Sequence, residues 1–234
     1  MSELDLYLKK YYLNKARFAA ACDSTEAEID ALIKAQLLPA PSYVVTENAT
    51  ICSAVFGEMD AFQTSAGDYF HPAHRIWFNK AQQLIADYGV TAAPAHARQE
   101  FMQKFIVALT DLNRHLWQLP ECFLADGTPV SAGLTARAEF SWQHFLSGTF
   151  GLCVANPVSE AAIAKKEILQ EKLTHLTDNG SKTDFSSNEA KDLLSLIDVF
   201  SEAAMWFSPA EYHQSSRKRL VDDLKPRLLA IAIN

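Results

Sequence analysis

His71-Pro72-Ala73-His74 sets two imidazoles three residues apart at the start of an expected helix, where side chains at i and i+3 share a face and can hold a divalent metal. A metal site needs a third ligand from elsewhere, such as His96, His115, His144 or a carboxylate like Asp68. Neutral imidazoles also cap, stack or face solvent, so the pair has an ordinary structural reading beside the metal one. Ser215-Ser216-Arg217-Lys218-Arg219 packs two hydroxyls and three cations into five residues, a combination suited to phosphate or carboxylate. Arg219 can instead pair with Asp222 or Asp223 at i+3 and i+4 and form a solvated helix surface. His144 lies opposite Trp142 and Phe145 on its expected helix, which places it on a polar edge. Ser215, Ser216, Arg217, Arg219 and His144 are therefore the candidate ligand-binding residues, and His71 and His74 the candidate metal ligands. Glu211 suits a capping box with Ser208, with proton transfer near Tyr212 and His213 as its other reading.

These groups must be positioned by helices. Glycine (8) and proline (9) are scarce, well below the roughly 12% of average usage and too sparse for a turn-dense β-sandwich or barrel. The periodicity predicts helices near 3–12, after Asn14, and from a Thr25 cap to Leu37, with Ser42-Tyr43-Val44-Val45-Thr46 as one strand or extended wing. Residues 47–68 show no clear period and read as a connector with at most one helical turn. A helix from Pro72 should stop at Gly89. Pro94 opens another, with the stripe Phe101, Phe105, Leu109, Leu112 and Leu116 in helical phase. Further helices follow at 134–147, from Ser159 to about Leu176, and from a capping box at Ser186 and Glu189. Ser208-Pro209-Ala210-Glu211 should start a final helical stretch that Pro226 kinks or breaks. The expected fold is all-α: a small helix-turn-helix-like unit over 1–46, a connector over 47–67, and a larger multi-helix domain over 68–234.

Hydrophobic residues make up 49% and charged residues 21% of the chain, which excludes a disordered protein. Net charge is -7, and the segments divided at residues 45 and 158 are all net acidic. General nucleic-acid binding is disfavoured, because affinity for phosphates needs concentrated positive charge. Cys22, Cys52, Cys122 and Cys153 form no C-x-x-C pair, so four buried thiols are expected rather than a zinc finger or redox dithiol. The acidic start and short apolar runs suit neither a signal peptide nor a spanning helix, and a cytoplasmic setting is expected. Gly148-Thr149-Phe150-Gly151 lacks the lysine and preceding strand of a phosphate loop and reads as a tight turn. Neither G-x-S-x-G nor H-E-x-x-H occurs.

Residues 18–39, from Phe18-Ala19-Ala20-Ala21-Cys22 through Ile29-Asp30-Ala31-Leu32-Ile33 to Leu37-Leu38-Pro39, resemble the helix-turn-helix start of MerR-type regulators. That likeness implies a DNA-reading second helix carrying Arg and Tyr; here Asp30 and Leu32 stand in those places, flanked by Glu26 and Glu28. Over nearly its full length the chain resembles a bacterial family of unknown function, number 6058. The likeness rests on Tyr11-Tyr12-Leu13-Asn14-Lys15-Ala16-Arg17-Phe18, Pro39-Ala40-Pro41-Ser42-Tyr43-Val44-Val45, Gly148-Thr149-Phe150-Gly151-Leu152-Cys153-Val154, and Phe207-Ser208-Pro209-Ala210-Glu211-Tyr212 with the Ser215–Asp223 segment. The family has been labelled as associated with natural product biosynthesis, but the resemblance implies no activity, cofactor or site residue.

The leading expectation is a binding or accessory protein, in a biosynthetic setting, that holds a small anionic ligand near Arg217 and Arg219. The alternatives are a MerR-like regulator whose helical domain senses a ligand, and a metal-dependent enzyme built on His71 and His74. Whether the protein is an enzyme, and which cofactor or oligomeric state it adopts, the residues leave open. All three readings require that folding gathers distant segments into one polar hollow.

Overall fold

The computed structural model describes residues 2–233. Its first elements are α1 (Glu3–Tyr11), β1 (Leu13–Asn14), α2 (Lys15–Ala21) and α3 (Glu26–Lys34). Each helix start follows a side-chain cap: Ser2 Oγ accepts from Asp5 N, Asn14 Oδ1 from Arg17 N, and Thr25 Oγ1 from Glu28 N. Such caps satisfy amides that have no partner within the helix. α3 buries Ile29 and Leu32. Its outer face is acidic and engaged: Asp30 pairs with Lys15 at 2.5 Å, and Gln82 Nε2 donates to Glu28 Oε1 at 2.7 Å.

The all-α expectation is wrong. The protein is mostly helical, about 60%, but it carries a five-stranded antiparallel sheet and is α+β. The strands are β1, β2 (Tyr43–Val45), β3 (Thr50–Ser53), β4 (Gly57–Asp60) and β5 (Gly67–Phe70), in the order β1-β5-β2-β3-β4. Only β2 had a sequence signal. β3 and β4 occupy the stretch read as a connector and form a hairpin in which Ser53 faces Gly57. β4 has no buried residue and β1 is two residues long, so neither shows the alternation that marks a half-buried strand. Their partners, not their own pattern, hold them extended.

Helix α4 (His74–His115) is interrupted at Gly89, where φ is 77° and ψ is 159°. A straight helix would separate Trp77 and Phe101 by about 36 Å, yet their rings lie 6.2 Å apart. The limbs 74–88 and 90–115 therefore fold back on each other, and Pro94 lies near the start of the second limb. Trp77, Phe101 and Phe105 pack with Trp142 and Phe145 of α5 (Ser131–Leu146).

α6 (Phe150–Cys153), α7 (Glu160–Leu176) and α8 (Ser187–Ala203) follow. Ser159 caps α7, and Ser186 with Glu189 forms a complete capping box on α8. The single final helix expected after Ser208 is absent: residues 209–215 are turns, a bend and a short 3-10 segment, followed by a helical turn from Ser216 that becomes π-helical over Lys218–Asp222, and then α9 (Lys225–Ala232). Pro226 sits in the first turn of α9, where its missing N–H is harmless. One hydrophobic core joins the sheet, α4 and α5; a second lies among α7, α8, the π-turn and α9. Among the described residues no helix is long and apolar enough to cross a membrane. All four cysteines are free, and Cys52 is half-exposed where the others are buried.

Candidate functional site

The turn from α5 into α6 brings three parts of the chain together, and two glycines make this possible. A Cβ at Gly148 would lie 2.5 Å from Ala40 O, and one at Gly151 would lie 2.2 Å from Ser42 Oγ and 2.9 Å from His74 Nε2. Gly148 also has φ of 78°, a conformation other residues adopt at a cost. α6 is thereby pressed against the start of β2. On its other side, Ala155 N donates to Ala203 O at 2.8 Å and Met205 N to Cys153 O at 3.1 Å, which fixes the end of α8 beside it.

An open cleft of about 360 Å³ lies beside this junction. Its polar wall includes His144, Lys166, Gln170, Ser216 and Arg219; its apolar wall is Val55 and Phe56 at the tip of the β3–β4 hairpin, with Phe207 behind. Phe56 meets Phe207 edge-on at 5.8 Å. The charged lining is Lys166, Glu167 and Arg219, two cations against one carboxylate, in a chain of net charge -7.

The wall's groups differ in how far the protein already engages them. Lys166 is buried and donates to Glu167 Oε1 at 2.9 Å. Burial opposes its charge, but the paired Glu167 carboxylate helps hold the ammonium above its ordinary pKa. Burial pushes the Cys153 thiol up to about 11. At neutral pH the pair is thus an ammonium beside an un-ionised thiol, which is neither a nucleophilic thiolate nor a lysine primed for Schiff-base chemistry. Arg219 Nε donates to Asn179 Oδ1 at 2.9 Å. The carboxylates expected to neutralise it are engaged elsewhere: Asp223 pairs with Lys218, and Asp222 accepts from Tyr212 Oη at 2.8 Å. Gln170 Oε1 is buried without a hydrogen-bond partner, a state that buried acceptors rarely keep when water or ligand can reach them.

The family model described as a family of unknown function, DUF6058, matches residues 97–229, more than half of the chain. The chain belongs to this family. No curated protein and no solved structure matches it. Within the DUF6058 match lie His144, Lys166, Gln170, Ser216 and Arg219, whereas the hairpin tip that closes the cleft lies outside it. The match does not reach α2 and α3, and nothing in the comparisons supports a MerR-type relationship for that helix pair.

Of the five residues the sequence nominates for ligand binding, His144, Ser216 and Arg219 line the cleft. His144 Nδ1 lies 3.4 Å from Thr149 Oγ1. Ser215 and Arg217 do other work. Ser215 Oγ donates to Tyr212 O at 2.8 Å and accepts from Lys218 N at 3.0 Å, tying the turn together. Arg217 is buried; Nη1 donates to Ser201 O at 2.8 Å and Ala204 O at 2.9 Å, and its guanidinium lies 3.8 Å from the centre of the Trp206 ring. It satisfies carbonyls at the end of α8, where a cation is also favoured by the helix dipole. Lys166 and Gln170 carried no sequence signal, because a lysine within Lys165-Lys166-Glu167 looks like any solvated helix face, and Thr149 and Cys153 were legible only as part of a tight turn and as a buried thiol.

His71 and His74 are buried in the sheet–helix core with ring centres 6.4 Å apart. His71 Nδ1 accepts from Ala73 N at 3.1 Å. Burial lowers His71 to about 4, and burial with the neighbouring His71 lowers His74 to about 3. The possible third ligands are dispersed: His96 stacks on Tyr88 at 3.7 Å, His115 is exposed beside Asp111, Asp68 pairs with Lys15 at 3.4 Å, and His144 faces the cleft. Among the described residues no three His, Cys, Asp or Glu side chains converge on a metal position.

Glu211 caps no regular helix, though its carboxylate still meets the backbone and side chain of Ser208. Fully buried, it accepts from Tyr43 Oη and, at 3.1 Å, from Ser53 Oγ. Burial raises its pKa. Tyr7 and Tyr12 extend the network, Tyr7 donating to Trp206 O and Tyr12 to Gly151 O at 2.9 Å. Ser53 Oγ also accepts from Phe56 N at 3.1 Å. Glu211 therefore holds, through Ser53, the hairpin tip that forms the apolar wall of the cleft.

Proposed function

We propose that the protein binds a small organic anion in this cleft and acts as a binding or accessory protein. The observation that carries the reading is Arg219, a cleft-lining residue whose Nε donates to Asn179 Oδ1 and which no carboxylate engages among the described residues. Lys166, paired with Glu167, leaves that part of the wall without net charge, and Ser216, His144 and Gln170 add hydrogen-bonding groups. A guanidinium fork and a hydroxyl suit carboxylate or phosphate. The protonation states of Cys153 and Lys166 favour binding over covalent catalysis.

Thermal-shift measurements with carboxylated and phosphorylated metabolites test the reading on wild type and Arg219→Ala. A ligand at 100 times its dissociation constant should stabilise wild type by about 2.7 kcal/mol and Arg219→Ala much less. A screen without a hit, or a hit that Arg219→Ala leaves unchanged, overturns it.

A further inference from the structure

The cleft does not end at His144. A second cavity, about 380 Å³, is lined by Phe105, Gly133, Ala136, Phe140 and Ser141, and it shares Glu167 with the first. Phe140 and His144 are one turn apart on α5, with ring centres 4.3 Å from each other at 68°. They form a continuous wall from one cavity to the other. Phe140 borders the second cavity and is 64% exposed, so its ring is open to a ligand. From Ala136 to His144 the wall runs about 12 Å along the helix.

The two ends differ in charge. Arg137, the one cation of the second cavity, is engaged by both Glu121 and Glu171, so that end offers an anion nothing. Arg219 at the other end has no carboxylate partner among the described residues. Between them Glu167 is paired with Lys166, which lets an apolar chain pass without facing an uncompensated charge.

We infer that the ligand is a carboxylic acid with an acyl tail, its carboxylate held by Arg219 and its tail laid along α5 past His144 onto Phe140. This rests on the anion-binding reading above. Isothermal titration with butanoate, hexanoate, octanoate and decanoate, each below its micelle concentration, tests it. Affinity should rise about fourfold per added methylene. Phe140→Ser should flatten that rise while leaving butanoate binding intact, and Arg219→Ala should weaken every member by a similar factor, at least tenfold. Equal affinity for all four acids, or a rise that Phe140→Ser leaves unchanged, overturns the tail assignment but leaves anion binding standing. If none of the four binds while inorganic phosphate or a polar acid does, the tail assignment falls alone. If no anion binds, both fall together.

Discussion

Two polar clusters in this protein end in opposite states. The inner one gathers Tyr7, Tyr12, Tyr43, Ser53 and Glu211 around a sealed junction, and its hydroxyls bond across the sheet, α6 and the 205–211 segment. The outer one gathers His144, Lys166, Gln170, Ser216 and Arg219 around an open cleft, and it leaves Arg219 without a carboxylate and Gln170 Oε1 without a donor. A side chain's chemical type does not separate structural from functional polarity. Whether neighbouring elements use up its hydrogen-bonding capacity does.

Acid is the strongest way to break the sealed side. His71 and His74 are held at about 4 and 3 in the fold, against about 6.5 in an unfolded chain, so the unfolded state binds more protons between those values. The stability they contribute is complete above pH 6.5 and is lost as pH falls toward 4, on the order of 3 kcal/mol for each histidine. Glu211, raised by burial, works in the opposite direction above its ordinary 4.5, so Glu211→Gln should steepen the loss. Urea unfolding across pH 7 to 4 measures it, and a flat profile would show that solvent reaches the imidazoles.

Next in size is Tyr43→Phe, which removes one donor from a buried carboxylate and should cost about 2 kcal/mol. Urea unfolding at neutral pH checks it; a neutral result would mean Glu211 finds another donor or is protonated. Arg217→Ala sharpens the comparison further. It strips two bonds from the end of α8 and should cost about 2 kcal/mol in stability while leaving ligand affinity within about twofold. Arg219→Ala should do the reverse, with stability within about 0.5 kcal/mol of wild type and affinity down at least tenfold. If the two variants behaved alike, in calorimetry and in titration, the division between the clusters would be unfounded.

Local chemistry made much of the helical frame legible. Asn14, Thr25, Ser159 and Ser186 cap where their spacing to the following residues says they should, and Gly89 breaks α4. Those signals act within four residues. The sheet lacks a sequence signal because β3 and β4 owe their extension to pairing with each other and with β2 rather than to a pattern of their own, and β4 has no buried face to betray it. Ser208-Pro209-Ala210-Glu211 resembled a helix start, yet Glu211 bonds more profitably to Tyr43 and Ser53, more than 150 residues away, and the segment stays a turn.

The sequence by itself determined that this is a folded, acidic, largely helical chain with an isolated group of cations near its end, because composition, periodicity and caps are local quantities. Only the tertiary structure decided which of those cations borders the cleft. Arg217 and Arg219 are two residues apart and chemically identical, but one meets the carbonyls closing α8 and the other meets an open cleft. Availability depends on what packs against a side chain, and here that was settled by elements distant in the chain.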